Sequence, residues 1–416
     1  MSELDKLLEG VEVEWIYLEK IIQDKFWIMP STPKFNEKEL IPYITSKNIK
    51  NGHINFDKIK FISHNDFMKI SKNRPILAGD ILISMIGTIG EVAKVKVSDL
   101  NFYGQNMYLI RLDNKIINSD FFLHFFDSPI MKSHFSSVKN NSGQGYLKSK
   151  DIEKLEIPIP CPDNPEKSLK IQKEIVRILD TFTELTTELT TELTARKKQY
   201  SYYREQLLTF DESEVEWKTL GEIGEVTKLA GYEFTKHVKY ADTGNIIALR
   251  ALNVKNGYLN LSQVKFIDGS EFNKLSRSKL YIDDMLFTYV GTIGEVALIT
   301  ENDKYYLAPN VARIRLTNNS ILPSFMKYYF QSYGFEKKQI NRYLSASSMK
   351  NLTMTNIRKF KIPIPSLAEQ ERIVTILDKF DTLTTSISEG LPKEIDLRKK
   401  QYEYYREMLL TFPKPE

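Results

Sequence analysis

One fifteen-residue block occurs twice in this chain. Residues 196–210 read RKKQYSYYREQLLTF and residues 398–412 read RKKQYEYYREMLLTF. The copies differ only at Ser201 against Glu403 and at Gln206 against Met408. A block this well kept signals internal duplication, which constrains the fold more than any composition does. Further pairs follow in the same order. VEVEW ends at Trp15 and SEVEW at Trp217, and Asn51-Gly52 matches Asn256-Gly257. GTIGEVA occurs at 87–93 and again at 291–297. Asn106 matches Asn310, Arg111-Leu112 matches Arg315-Leu316, and IPIP stands at 157–160 and at 362–365. The period, roughly 200 residues, is too long for a solenoid repeat and right for a domain.

Each half divides in two. The first part is of mixed pattern. Ile81–Ser84 and Val92–Val97 flank the Gly87–Gly90 turn as a strand pair. The aromatic runs Phe121–Phe126 and Phe325–Phe330 read as buried helices, with Ser119-Asp120 and Ser324 as candidate caps. IPIP forces an extended segment, and a helix follows. In the first half, Ile171, Ile175, Ile178, Phe182, Leu185 and Leu189 step by four and three, the seam of a coiled coil. The tetrapeptide TELT then repeats three times over 183–194, setting Leu185, Leu189 and Leu193 four apart. Consecutive steps of four make a stutter, which unwinds the supercoil locally. A helix from about Ser168 to Phe210, on the order of 60 Å long, cannot bury its own stripe. Its obvious partner is the second helix, seamed by Ile373, Leu377, Phe380, Leu383 and Ile387. That helix should break at Gly390-Leu391-Pro392, because interior proline costs about 3 kcal/mol and glycine about 1. LDKLLEGVEVEW at the start resembles the join at 204–217, so the chain begins with the tail of a helical repeat. A chain whose first element completes its last is expected to close as a pseudo-twofold ring.

Several functions are disfavoured. Cys161 is the only cysteine, so no disulfide within the chain and no cysteine zinc site is expected. The acidic N-terminus has no signal-peptide pattern, and no apolar run reaches the roughly 18 residues of a membrane span. A cytoplasmic protein is expected. Net charge is +4, which permits nucleic acid as a partner without arguing for it. There is no phosphate loop and no Asn-Pro-Pro-aromatic motif of the amino-methylating kind. His53, His64, His124, His134 and His237 show no metal spacing. Asp80, Glu91 and Lys94 imitate a nuclease set, but the second copy has Leu298 where the lysine would stand. No catalytic residue and no metal ligand is assigned.

Candidate nucleic-acid contacts lie elsewhere. Thr88 and Thr292 sit in the GTIG turns, which either face phosphate or are tight turns that need glycine. Identical copies favour the turn. Asn106 and Asn310 either read adenine or cap the start of a strand. Lys47, Asn48, Lys50, Arg250 and Lys255 cluster by the Asn-Gly turns, as a DNA contact or a solvated basic face. Gln144 and Lys350 belong to polar stretches at 142–145 and 345–350.

Two variable globular parts, each closed by IPIP and followed by a helical repeat, resemble the specificity subunit of type I restriction–modification systems. CPDNPEKSL at 161–169, the TELT array and RKKQYxYYRE are similar to the type IC subgroup. The resemblance spans essentially the whole chain and implies an α+β architecture. Two mixed α/β target recognition domains would stand in tandem, separated by long helices paired as an antiparallel coiled coil with pseudo-twofold circular symmetry. The expected divisions are a helical stub at 1–15, recognition domains at 16–157 and 211–361, a helical spacer at 158–210 and a helical region at 362–416. Each recognition domain would read one half of a split double-stranded DNA site. The helices would dock two modification subunits, and restriction subunits would join them. S-adenosylmethionine, ATP and Mg²⁺ would belong to those partners. On this reading Arg196, Lys197, Tyr200, Tyr203, Arg398, Lys399, Tyr402 and Tyr405 mark two docking platforms, and Leu185, Leu189 and Leu193 the spacer. Alternatives are a related system with a fused methyltransferase–nuclease partner, or a scaffold that uses its coiled coil for protein contacts alone.

Overall fold

The duplication read in the sequence is a duplication of strand order. The computed structural model describes residues 10–138, 146–229, 234, 236–344 and 351–412. Its first half runs β1 (Val13–Tyr17), β2 (Ile22–Ile28), β3 (Ile41–Thr45), β4 (Lys60–Ile62), β5 (Ile81–Ser84), β6 (Val92–Lys94), β7 (Tyr103–Gln105), β8 (Met107–Leu112), α1 (Ser119–Phe126), β9 (Glu156–Pro160) and the long helix α2 (Pro165–Leu207). The second runs β10 (Glu216–Thr219), β11 (Gly224–Thr227), β12 (Ile247–Leu249), β13 (Lys265–Phe266), β14 (Met285–Thr288), β15 (Val296–Leu298), β16 (Tyr305–Leu307), β17 (Val311–Leu316), α3 (Pro323–Phe330), β18 (Lys361–Ile364), α4 (Leu367–Thr385) and α5 (Leu391–Leu410). The sheets correspond one to one. The four-stranded sheets are ordered β2-β8-β5-β6 and β11-β17-β14-β15, and all their pairs are antiparallel. The three-stranded sheets, β4-β3-β7 and β13-β12-β16, each contain one parallel pair.

IPIP makes a strand for a definite reason. β1 and β9 pair antiparallel, with Trp15 opposite Pro158 and Val13 opposite Pro160. Cys161 N donates to Glu12 O at 2.7 Å. With a period of two, Ile157 and Ile159 share that bonded parity, and the prolines take the positions whose missing N–H faces away. β10 and β18 repeat the device, with Trp217 opposite Pro363. Val13–Trp15 is therefore strand, not the end of a helical stub; residues 1–9 lie outside the described residues.

The chain forms two compact units, 1–188 with 395–416, and 189–394. The C-terminal segment thus belongs to the unit that holds the N-terminal half. The expected recognition domains lie inside these units, and each unit also takes a share of two helices. In the first unit, Ile171, Ile175 and Leu179 of α2 are buried with the aromatic residues of α1 and with Leu409, Leu410 and Phe412. Phe182 stacks on Tyr405 at 5.2 Å. In the second, Tyr200 and Tyr203 stack on Phe380 of α4 at 5.9 and 5.7 Å, and Leu208 joins Ile373 and Leu377 in the core. The paired segments run antiparallel. The seam differs from the sequence reading at three positions. Leu179, not Ile178, is fully buried, because this stretch of α2 packs on α1 as well as on α5. Leu185 is exposed, and Ile387, 85% exposed, falls beyond the end of α4 at Thr385.

Caps and breaks follow local chemistry. α1 is capped by Asn118, whose side chain accepts from Asp120 N and Phe121 N, not by Ser119-Asp120. α3 opens with Pro323 at its first position, and Ser324 caps nothing. α4 stops at Thr385, and α5 starts at Leu391. Gly390 between them has φ +81°, and a Cβ there would run into the carbonyl oxygen of Thr382. Pro392 falls in the first turn of α5, where no N–H is needed. The interruption is thus Ser386–Gly390, and Leu391-Pro392 open the next helix.

Candidate nucleic-acid interface

Three motifs that stand apart in the sequence form one hydrogen-bonded frame in each unit. Asn51 and Gly52 have φ +52° and +78°, the left-handed pair of a tight hairpin turn. Gly52 N donates to Val92 O at 3.0 Å, and Asn51 N donates to the Glu91 carboxylate at 3.2 Å. The second unit repeats both bonds. Gly257 N donates to Val296 O at 3.0 Å, and Asn256 N to the Glu295 carboxylate at 2.6 Å. GTIGEVA is therefore the seat of the Asn-Gly turn. Gly87, Gly90, Gly291 and Gly294 all have φ between +80° and +94°, so the motif is a glycine-requiring turn. Thr88 Oγ1 donates to Ser46 O at 3.0 Å, tying the turn to the residues before Asn48.

Those residues form a single 3₁₀ turn, Ser46–Asn48, matched by Ala251–Asn253. Asn48 Oδ1 accepts from Thr45 N at 2.9 Å, and its Nδ2 donates to Asn55 O at 2.9 Å. Asn253 does the same with Arg250 N at 3.0 Å and Asn260 O at 2.9 Å. Asn48 is thus bonded into the fold as an anchor. Lys47, Lys50 and Lys255 are exposed, and among the described residues no carboxylate pairs with them. Arg250 is half-buried and donates to Gln263 O at 3.0 Å. Thr88 and Thr292 are exposed beside these turns. Asn106 and Asn310 have φ +66° and +71° at the junction of two strands, and Asn106 N donates to Ile28 O at 2.9 Å. They supply a left-handed step that asparagine tolerates. Gln144 and Lys350 lie outside the described residues.

The nuclease-like trio is dispersed into other bonds. Asp80 grips Arg111 with both oxygens, at 2.7 and 2.9 Å, as Asp284 grips Arg315 at 2.6 Å twice. Lys94 pairs with Asp120 at 2.8 Å, and Glu91 caps the Asn-Gly turn. Among the described residues no group of acids, histidines and cysteine is arranged to hold a metal, and no helix is long and apolar enough to cross a membrane.

The duplicated block is built largely inward. Tyr200 and Tyr203 stack on Phe380, Tyr405 stacks on Phe182, and Tyr402 packs against the first unit's core. These four tyrosines thus close each unit's own helix pair. Phe412 meets Phe121 at 6.2 Å, and Phe210 meets Phe325 at 6.1 Å. The block's outer face carries Lys197, Tyr202, Lys399 and Tyr404, with Arg196 and Arg398 half-buried. In the spacer, Leu185 is exposed, while Leu189 and Leu193 are half-buried.

Two positioning residues escape a reading of the sequence. Gln172 of α2 is fully buried. It accepts from Asn118 N at 2.7 Å and donates to Ile116 O at 3.1 Å, fixing the backbone that leads into α1. Gln370 of α4 accepts from Leu322 N and donates to Ser320 O, both at 2.8 Å. A signal for them exists: each glutamine lies inside an apolar helical run of its half. A carboxylate eight residues further along, about two turns on, completes each joint. His124 Nε2 lies 2.9 Å from Asp180, and Tyr328 donates to Asp378.

Comparison with known proteins agrees with this architecture. Residues 22–197 and 212–397 each match the type I restriction modification DNA specificity domain. The chain is 36% identical to the type I restriction enzyme EcoR124I/EcoR124II specificity subunit of Escherichia coli, over 100% of this chain and 98% of that one. It is 35% identical to the EcoprrI specificity subunit of the same organism, over 94% and 92%. The fold is similar to the type I S subunit from M. genitalium, with a TM-score of 0.52 at 17% identity and complete coverage of both chains. It is also similar to the HsdS subunit from Thermoanaerobacter tengcongensis, with a TM-score of 0.51 at 14% identity, covering 96% and 95%. Two copies of one sheet order, two copies of one turn frame and full-length similarity lead to one conclusion: the chain belongs to the type I restriction–modification specificity subunits, the non-catalytic DNA-recognition components of these systems.

Proposed function

We propose that the globular parts at 16–157 and 211–361 each read one half of a bipartite, asymmetric double-stranded DNA site. The observation that carries this is the repeated turn frame: one set of hydrogen bonds, made twice, with different side chains mounted on it. A shared frame gives two equivalent readers, and unequal side chains give two different half-sites rather than a palindrome. Lys50 and Lys255 stand at equal places on the two frames and suit phosphate. Base edges then supply the discrimination. The helical segments set the distance between half-sites and dock two modification subunits, using Lys197, Lys399, Tyr202 and Tyr404 on the outer face of the block. Restriction subunits join that core. Methyl-donor and nucleotide chemistry belongs to those partners, and the complex works in the cytoplasm, where the chromosome is.

Methylome sequencing of a host that expresses this chain with its modification subunit tests the reading. The expected result is one split motif with two unlike half-sites and a spacer of fixed length. A continuous motif, a palindrome, or no modified motif in a host containing an active modification subunit would overturn it.

A further inference from the structure

Because the frame is built twice, equal places in the two units can be compared side chain by side chain. A residue kept in both copies serves both half-sites alike. A residue that changes, while its backbone does not, is free to tell the half-sites apart. Lys50 and Lys255 are kept, as are Thr88 and Thr292. The 3₁₀ turns beside them are anchored identically, through Asn48 to Thr45 N and Asn55 O and through Asn253 to Arg250 N and Asn260 O. Ile49 and Val254, the next residues, are both buried. Between these fixed points stands Lys47 in one copy and Leu252 in the other.

Both side chains project from the turn. Lys47 is exposed without a carboxylate partner among the described residues, and Leu252 keeps 47% of its surface open. An exposed leucine is ordinary by itself. This one is informative because its counterpart is a free cation on the same backbone. Two other pairs change here. Ser46 is buried and its counterpart Ala251 packs against the core, while Thr45 and Arg250 are tied inward. Thr45 Oγ1 bonds to Asn48, and Arg250 donates to Gln263 O. Position 47/252 is thus where the two frames differ in chemistry without any debt to the fold.

We propose that Lys47 and Leu252 are specificity-determining residues, one for each half-site, resting on the DNA-reading assignment above. An ammonium group donates to the O6 and N7 acceptors that guanine presents in the major groove, and a bare alkyl group packs on the methyl of thymine. Lys47 reads a guanine in the half-site of the first unit. Leu252 reads a thymine methyl in that of the second. Lys50 and Lys255, kept three residues further on, hold the backbone phosphates.

The test uses the assembled complex with its modification subunits. The motif is first taken from the methylome, and binding is then measured on duplexes that each carry one base change, deoxyuridine for thymine included. For the unaltered complex, deoxyuridine at one thymine of one half-site should weaken binding by about 10-fold, ~1.4 kcal/mol. Leu252→Ala should abolish that methyl dependence and leave the other half-site unchanged. Lys47→Ala should lose about 10-fold discrimination at one guanine of the opposite half-site, within the usual effect of a single mismatch. Lys50→Ala and Lys255→Ala should weaken every duplex alike. The proposal fails if deoxyuridine is tolerated at every thymine. It fails equally if Lys47→Ala and Leu252→Ala weaken cognate and altered duplexes by the same factor. A complex that shows no split motif at all overturns the reading of the whole chain, a separate result.

Discussion

The buried glutamines carry the most exacting prediction. Gln172 is wholly removed from solvent and makes three bonds. It accepts from Asn118 N at 2.7 Å and donates to Ile116 O and Ser168 Oγ, both at 3.1 Å. Gln172→Leu keeps most of the volume and the helix propensity, so packing and backbone entropy change little. What it removes is the side-chain partner of two backbone groups that the leucine would itself cover. A buried peptide group left without a partner costs about 1–3 kcal/mol. Two such groups put the loss at about 2–6 kcal/mol, and we take ~3 kcal/mol as the working figure. For a unit of roughly 200 residues each kcal/mol moves the midpoint by about 2–4 °C, so the first unit should melt ~6–12 °C earlier.

Differential scanning calorimetry of the full chain can read this twice. Gln370 makes the corresponding bonds to Leu322 N and Ser320 O in the second unit. Gln172→Leu should lower the transition of the first unit, and Gln370→Leu that of the second, by similar amounts. Lys173→Ala, one residue along on the exposed face, should change neither. A Gln172→Leu chain that melts within about 2 °C of the parent would refute the reasoning, because it would place the bonds' net worth below the lowest cost of one orphaned group.

Three further outcomes follow from the same geometry. Glu91→Gln removes the charge that accepts from Asn51 N, and should lower stability by about 1 kcal/mol in urea unfolding while the methylated motif stays the same; a changed motif with normal folding would place Glu91 itself at the DNA. Tyr200, held among Phe380 and neighbouring helix residues, has its phenol pushed up to about 12, first by burial and then by Asp381. The folded chain thus favours the neutral phenol: this contribution is complete below pH 10 and drains between pH 10 and about 12, so Tyr200→Phe should flatten the fall in melting temperature between those values. Deleting Thr187–Thr190 removes about 6 Å of helix, and methylome sequencing should show a spacer shorter by about two base pairs at roughly 3.4 Å each. Unchanged spacing, or altered half-sites, would reject the helix as a ruler.

Much of the fold is legible because the chain states it twice. GTIGEVA, Asn-Gly and IPIP each contain residues whose backbone preferences are narrow, so their recurrence marks turns and an edge strand without any knowledge of tertiary contacts. Other features depend on contacts between distant residues. Glu91 resembles a member of an acidic trio in the sequence, yet its carboxylate sits on Asn51 N, forty residues away along the chain. Asn48 has the chemistry of a base reader, but its amide is the anchor of its own turn. Gln172 is equally hard to recognise, since a polar residue within an apolar period reads as noise unless its backbone partners are known. The stub at the N-terminus misleads for a related reason: VEVEW matches the end of a helical repeat in sequence, yet its residues alternate, and the partner strand at Glu156–Pro160 decides the outcome.

The block that occurs twice changes its meaning once the cores are resolved. Its near-identity suggests two equal docking platforms, and sameness on a surface does imply a shared partner. Sameness also arises when each copy fills the same kind of cavity. Phe412 against Phe121 and Phe210 against Phe325 are one contact made in two units, and Tyr405 on Phe182 matches Tyr203 on Phe380. Packing alone therefore accounts for Tyr200, Tyr402 and Tyr405, and for the face that Tyr203, itself 38% exposed, lays on Phe380. It leaves the outward lysines unexplained: Tyr202 and Tyr404 meet Tyr203 and Tyr405 edge-on at 5.5 and 5.4 Å, but Lys197 and Lys399 are exposed and outside the cores. Selection for an interior would let these drift, as it has let Ser201 and Glu403 diverge beside them. Their identity in both copies is thus the part of the duplication that still calls for a partner, and the pair Lys197→Ala with Lys399→Ala, which leaves every core contact in place, is where loss of modification-subunit binding should appear in co-purification.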